Sequence, residues 1–213
     1  MPVRLPTAAE ALAALARVGH RPDDPLVLNA GVGADVGIRS ETAEHVDTTI
    51  DVNLRAPIVM AVAFAQHKLA VGEPGQIVMV GSLSGLVATP DTRMYNATKF
   101  GLRGFAHSLR QDLDGSGIGL TLVSPGFIRD AGMFADSGSR TPPGVGTASP
   151  EDVANGVIVN ICVASRPANV PRPARRRPQA RQMQTETIAV AGKIRKALVT
   201  AHQGEVRAVK IGR

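Results

Sequence analysis

Three short runs, Pro25-Leu-Val-Leu-Asn29, Gly75-Gln-Ile-Val-Met-Val-Gly81 and Gly119-Leu-Thr-Leu-Val-Ser124, are apolar almost without interruption and about the length of a β-strand. A strand with one wet face alternates apolar and polar residues, whereas one covered on both faces does not need to. The segments between these runs have helical patterning instead. Glu41 to Val71 is one such segment, and Met94 to Leu113 is another, with Phe100, Phe105, Leu109 and Leu113 near helical spacing. Strands buried on both faces and alternating with helices imply a parallel sheet with helices packed on either side.

The punctuation agrees with a Rossmann-like α/β architecture. Thr7-Ala-Ala-Glu10 has capping-box spacing, so a helix is expected from there to about Val18, with Gly19 as its stop. Pro57 removes one amide hydrogen from the long helical segment and predicts a kink. Pro74-Gly75, Gly115-Ser-Gly117 and Pro125-Gly126 break the chain at strand ends. Phe127 to Ala148 reads as a loop, and Ser149-Pro-Glu-Asp152 opens a further helix with proline at its first position.

With 213 residues, 44% of them hydrophobic, the chain can bury one sizeable core. Residues 1–170 are therefore read as one partial Rossmann-like domain. The net charge of +6 is unevenly spread. Residues 172–213 hold eleven Lys/Arg against Glu186 and Glu205, which leaves the body mildly acidic. The run Pro171-Arg-Pro-Ala-Arg-Arg-Arg-Pro178 marks a boundary, and residues 171–213 are expected to be a basic, Pro/Arg-rich tail, disordered or partly helical. That tail has no aromatic residue to stack on bases, which argues against nucleic acid as a partner. The single cysteine, Cys162, excludes an internal disulfide. Met1 to Arg17 lacks the uninterrupted apolar core of a signal peptide, so a cytoplasmic location is expected. Ile50 to Val71 is interrupted by Asp51, Arg55, Gln66, His67 and Lys68, so it reads as a core helix and not a membrane span. The five histidines show no metal-ligand spacing, and no metal is expected.

The chemistry gathers around the only tyrosine. Tyr95 and Lys99 are four residues apart, on one face of the Met94–Leu113 helix. Ser82 directly follows the second apolar strand, where parallel sheets present functional groups. A phenol, an ammonium one helical turn away and a hydroxyl at a strand end make one candidate site.

Asn29-Ala-Gly31, Asp51-Val-Asn-Leu54, Gly81-Ser-Leu-Ser-Gly85, Tyr95-Asn-Ala-Thr-Lys99 and Ser124-Pro-Gly126 occur in this order over about residues 25–165. Their order and spacing resemble the short-chain dehydrogenase/reductase family. The resemblance implies an NAD- or NADP-dependent oxidoreductase acting on a small alcohol or carbonyl compound. It implies catalytic roles for Asn53, Ser82, Tyr95 and Lys99: Tyr95 as general acid or base, Ser82 as donor to the substrate oxygen, Lys99 on the phenol and the nicotinamide ribose, and Asn53 holding a water linked to Lys99. On the cofactor side it implies Asn29, Ala30 and Gly31, Tyr95 and Lys99, and the turn at Pro125 and Gly126. It further implies homo-oligomers paired through the two long apolar helices.

The pattern breaks in three places. Asp130 stands where the family often has a threonine that binds the cofactor amide. No Thr-Gly-x-x-x-Gly-x-Gly occurs in the chain, although the family carries this phosphate cradle, with about three strands, ahead of Asn-Ala-Gly. The chain thus reads as an N-terminally truncated member in which NAD/NADP preference is illegible and the strand Leu26 to Leu28 has an open edge. Gly31-Val-Gly33-Ala-Asp-Val-Gly37 imitates a glycine-rich loop, but its spacing is one residue too long and no helix follows at once. The second reading is a catalytically silent remnant that acts at most as an interaction module.

Overall fold

A computed structural model describes residues 21, 23–33, 36–136, 138, 141, 146–164, 198–202 and 205–209, together with Glu10, Ala13 and Arg17. Those three isolated residues are helical, in accord with the helix expected there, and the rest of that helix lies outside the described residues.

The three apolar runs become strands β1 (Leu26–Leu28), β2 (Gly75–Val80) and β3 (Ile118–Val123). They pair in parallel, in the order β1-β2-β3, with Leu26 opposite Ile77 and Ile77 opposite Leu120. Helix α1 (Ala43–Ile50) runs through a π-helical turn (Asp51–Arg55) into α2 (Ala56–Val71), and α3 (Arg93–Asp112) joins β2 to β3. Leu26, Leu28, Ile77, Met79, Leu120 and Leu122 share a core with Ala61, Phe64 and Ala65 of α2 and Leu102 and Ala106 of α3. Alternation along the strands turns Val78 to the opposite face, where α5 (Pro150–Ala164) packs on β2 and β3. Both faces of β2 are thus covered, as its unbroken apolarity requires. β1 differs. It is an edge among the described strands, and Val27 is 42% exposed between two buried leucines.

Pro57, expected to kink the helix, stands inside the continuous helical run Ala43–Val71, and the ladder changes just before it. An α-helix would aim the amide of residue 57 at the Asn53 carbonyl. Proline has none to offer, and the ladder widens into the π turn, with the Ala56 amide bonding Asp51 O. The continuous helical run Ala43–Val71 is long and apolar enough by composition to cross a membrane. Here its Ala61, Phe64 and Ala65 pack against the sheet.

The stretch expected to be a loop, Phe127 to Ala148, contains regular pieces. β4 (Phe127–Ile128) and β5 (Thr147–Ala148) pair in parallel, and a short α4 (Met133–Asp136) lies between them. The Phe127 and Phe134 rings meet at 4.8 Å between centroids. α5 starts as its sequence signals: the Ser149 amide donates to Asp152 Oδ2 at 2.9 Å and the Asp152 amide to Ser149 Oγ at 3.1 Å. The sequence reading places no strand beyond residue 170, yet Leu198–His202 (β6) and Glu205–Val209 (β7) form an antiparallel hairpin. The boundary near residue 170 and the rest of the tail lie outside the described residues.

Candidate active site

The C-terminal ends of β1, β2 and β3 deliver Asn29-Ala-Gly31, Ser82 and Ser124-Pro-Gly126 to one edge of the sheet, as parallel α/β sheets generally do with functional groups. Two backbone bonds join the last two segments. The Gly81 amide donates to Val123 O at 2.7 Å and the Leu83 amide to Pro125 O at 2.9 Å. Ser82 therefore sits on a platform shared with the Pro125-Gly126 turn. Its Oγ accepts the Ser84 amide at 3.1 Å, which leaves the hydroxyl hydrogen to point elsewhere.

It meets Tyr95. The Ser82 hydroxyl lies close enough to the phenol to influence its proton. Burial raises the Tyr95 pKa above its ordinary value, and Ser82 opposes that rise. Lys99, one turn along α3, is 4% exposed, and its Nζ is 5.4 Å from the centre of the Tyr95 ring. The ammonium donates to Val80 O at 3.1 Å, and burial pushes its pKa down to about 8. Burial is the leading influence on both side chains.

Asn53 projects inward from the middle of the π turn and is fully buried. Its Oδ1 accepts the Val32 amide at 2.8 Å, while its Nδ2 donates to Val32 O at 2.7 Å and to Thr98 Oγ1 at 3.3 Å. Thr98 in turn donates to Tyr95 O at 2.8 Å. The side chain expected to hold a water is thus engaged as a clamp between the loop after β1 and the Tyr95–Lys99 turn. Asn29, Ala30 and Gly31 are exposed at the strand end. A β-carbon on Gly31 would stand 3.5 Å from Asn53 Oδ1 and 3.7 Å from Lys99 Nζ, so that stretch of backbone runs beside the lysine. Pro125 is buried and Gly126 half-buried. Asp130, at the position of the family's threonine, has a left-handed φ of 73° and pairs with Arg129 at 3.1 Å.

Several contributors are invisible to sequence spacing. Gly85 is one: a β-carbon there would stand 2.8 Å from Lys99 O, so only glycine lets the serine segment lie against the lysine's backbone. Gly33 is another, since its β-carbon would meet Tyr95 Cδ2 and Met133 Sδ, both at 3.1 Å. Gly33, within the glycine-rich imitation after β1, therefore lies on the Tyr95 ring. Asn96, buried next to Tyr95, donates to Val87 O at 2.8 Å and fixes the segment before α3. Among the described residues no His/Cys/Asp/Glu group could hold a metal.

Residues 2–141 match the family described as short chain dehydrogenase. The chain belongs to the short-chain dehydrogenase/reductase family. Ketoacyl reductase HetN of Nostoc sp. is 28% identical over 137 residues, which cover 64% of this chain and 47% of HetN. Short-chain dehydrogenase/reductase eriH of Hericium erinaceus is 33% identical over 138 residues, 62% of this chain and 55% of eriH. The chain thus spans about half the length of these curated relatives. A crystal structure of a metagenomic short-chain oxidoreductase in complex with NADP superposes with a TM-score of 0.56 and 32% identity, covering 75% of this chain and 62% of that one. The fold and the oxidoreductase family expected from the five motifs both hold.

Proposed function

We propose that this short-chain dehydrogenase/reductase chain carries the proton-transfer half of an NAD(P)-dependent oxidoreductase that interconverts a small alcohol and its carbonyl compound. The observation that carries the reading is the buried Lys99 ammonium 5.4 Å from the centre of the Tyr95 ring, with Ser82 beside the phenol at the strand ends. In the reducing direction Tyr95 gives its proton to the carbonyl oxygen while the Ser82 hydroxyl donates to the same oxygen and orients it. The phenol, already protonated at neutral pH, is held further from ionising by burial, so it is present as the acid that this direction needs. In the oxidising direction Tyr95 is the base. Lys99 uses one hydrogen on Val80 O and has others for the nicotinamide ribose hydroxyls, and Asn53 and Thr98 hold the loop and the catalytic turn in register.

The residues fit one half of the cofactor. An exposed strand end at Asn29, Ala30 and Gly31 beside Lys99 Nζ suits the nicotinamide riboside, with Pro125 and Gly126 opposite. A bound nicotinamide dinucleotide supplies or accepts the hydride. For the pyrophosphate, the 213 residues contain no Thr-Gly-x-x-x-Gly-x-Gly whose amides could cradle it. Affinity in this chain therefore rests on the nicotinamide end. Reduced nicotinamide mononucleotide, which lacks the adenylate half, is expected to bind the 213-residue chain within a few-fold of NADH and NADPH. Calorimetry with the three ligands checks this. Binding of NADH or NADPH a hundredfold tighter than the mononucleotide would show a phosphate site in this chain, and no binding of any of the three at millimolar concentration would favour the silent-remnant reading.

The same reading includes self-association through α2 and α3, supported by Leu69 and Phe100, which are 54% and 43% exposed on those helices. Sedimentation at micromolar concentration is expected to show a dimer or larger species, and a clean monomer would remove the proposal.

A further inference from the structure

Tyr95 occupies the third residue of α3, and the first turn of a helix is where backbone amides lack intrahelical partners. Helices ordinarily remedy this with a capping side chain and with acidic residues in the first turn. α3 has neither. Its N-cap residue, Thr92, makes no capping bond; the hydroxyl donates to Thr89 O at 3.0 Å and is also bonded to Asn96 Oδ1. No acid stands in the first turn, and Arg93 sets a positive charge at the positive end of the helix dipole. Left to its own sequence, this turn would fray and Tyr95 would move with it.

The missing carboxylate comes from another element. Glu41 lies in the link between a 3₁₀ turn (Ile38–Ser40) and α1, and its Oε2 is 2.8 Å from the Arg93 guanidinium. Its other oxygen is bonded to His45 Nδ1. His45 belongs to a properly capped helix, because Thr42 Oγ1 accepts the His45 amide at 3.1 Å. Glu41 is thus held by a stable helix on one side and holds Arg93 on the other. The His45 hydrogen bond, helped by the charges of His45 and Arg93 and opposed by burial, keeps its carboxyl below the usual range, so it is ionised at neutral pH. A second link runs the same way: the Val36 amide donates to Asp91 O at 3.2 Å, two residues before Arg93. The connection between β1 and α1 is then fixed at Val32 by Asn53 and at Glu41 by Arg93, and between those points Gly33 lies on the Tyr95 ring.

We infer that Glu41 is a positioning residue for Tyr95, acting through Arg93 to hold the first turn of α3 in place. This rests on the proposed role of Tyr95 for its functional meaning, but its test does not require turnover. Tyr95 is the only tyrosine and the chain has no tryptophan, so phenolate absorbance reads this one side chain. In the parent chain the phenol is expected to titrate above its ordinary value of 10.0. Glu41→Gln and Arg93→Gln should each bring the midpoint down toward that value, because exposure removes the burial that outweighs the influence of Ser82. Each should also speed amide hydrogen exchange in residues 93–97 by about tenfold, while the amides of β2 and β3 stay protected. The double variant should shift no further than either single one, and Arg93→Lys, which keeps the charge, should restore most of the parent behaviour. The pair is partly buried, so each substitution should cost some stability, which urea unfolding of the variants measures, but it lies outside the apolar core and the variants should fold. Should Glu41→Gln prove unstable through its loss at α1, Arg93→Gln leaves the Glu41–His45 contact intact and still reads the pair. A phenol midpoint and first-turn exchange unchanged in Arg93→Gln would overturn the inference, as would exchange in Glu41→Gln that rises only in residues 43–50. Failure of the catalytic reading would show separately, as turnover that survives loss of the Tyr95 hydroxyl.

Discussion

Replacing Tyr95 with phenylalanine is expected to lower turnover of any alcohol or carbonyl compound this protein accepts by about 10²–10⁴-fold, the usual contribution of a positioned general acid. The fold should survive. The ring keeps its contacts with Gly33 and with the Lys99 ammonium, since both are made by carbon atoms of the ring. What is lost is the phenol oxygen and its interaction with Ser82, a loss of about 1 kcal/mol of stability at most if it is a full hydrogen bond. Ser82 keeps the Ser84 amide as a partner, so its platform beside Pro125 should not move. The measurement is kcat/KM on a substrate turned over by the parent chain, or by a longer polypeptide containing it, with urea unfolding run in parallel. Parent-level turnover in a folded Tyr95→Phe protein would remove Tyr95 as the proton donor.

The parts legible in the sequence are those where one residue type answers one physical demand. Uninterrupted apolar strands must be covered on both faces, and β2 and β3 are. A tyrosine and a lysine one turn apart must share a helix face, and Tyr95 and Lys99 do. The less legible parts depend on distances between segments far apart in the chain. Nothing in Gly81-Ser-Leu-Ser-Gly85 says that its last glycine will lie 2.8 Å, in β-carbon terms, from the Lys99 carbonyl. Asn53 is singled out in the sequence only by the family resemblance, and its clamp on Val32 depends on the π turn that carries it, a local geometry that spacing does not show. Glu41 and Arg93 are 52 residues apart and each resembles an ordinary surface charge until the fold joins them. β1 shows the limit of the apolar-run argument: its sequence asks for cover on both faces, while Val27 stays 42% exposed among the described residues.

Lys99 gives the other large effect, and here stability and chemistry should move in opposite directions. The side chain is 4% exposed and, among the described residues, has no carboxylate partner, only the Val80 carbonyl. Burial alone lowers its pKa from 10.5 to about 8. Between those two values the unfolded chain binds more protons than the folded one, so stability rises with pH across that window. Below about pH 8 both states carry the charge and the fold bears the whole desolvation penalty, roughly 3 kcal/mol from a shift of this size. Methionine has similar length and no charge. Lys99→Met should therefore remove the penalty while leaving Val80 O without its donor, a loss of about 1 kcal/mol. The net gain at pH 7 is about 2 kcal/mol. It should shrink as pH rises from about 8 through 10.5, and vanish only above 10.5, where the parent lysine is neutral in both states and keeps its hydrogen bond to Val80 O. On the proposed roles of Lys99, turnover should meanwhile fall as severely as in Tyr95→Phe, because the phenol and the ribose hydroxyls would both lose their cation. Urea unfolding of parent and variant at pH 7 and pH 10 measures the difference directly. A variant less stable than the parent at pH 7, with a gap that does not depend on pH, would mean that burial of the ammonium carries no such penalty. A stabilised, inactive variant would instead identify Lys99 as a residue kept for chemistry at the expense of the fold.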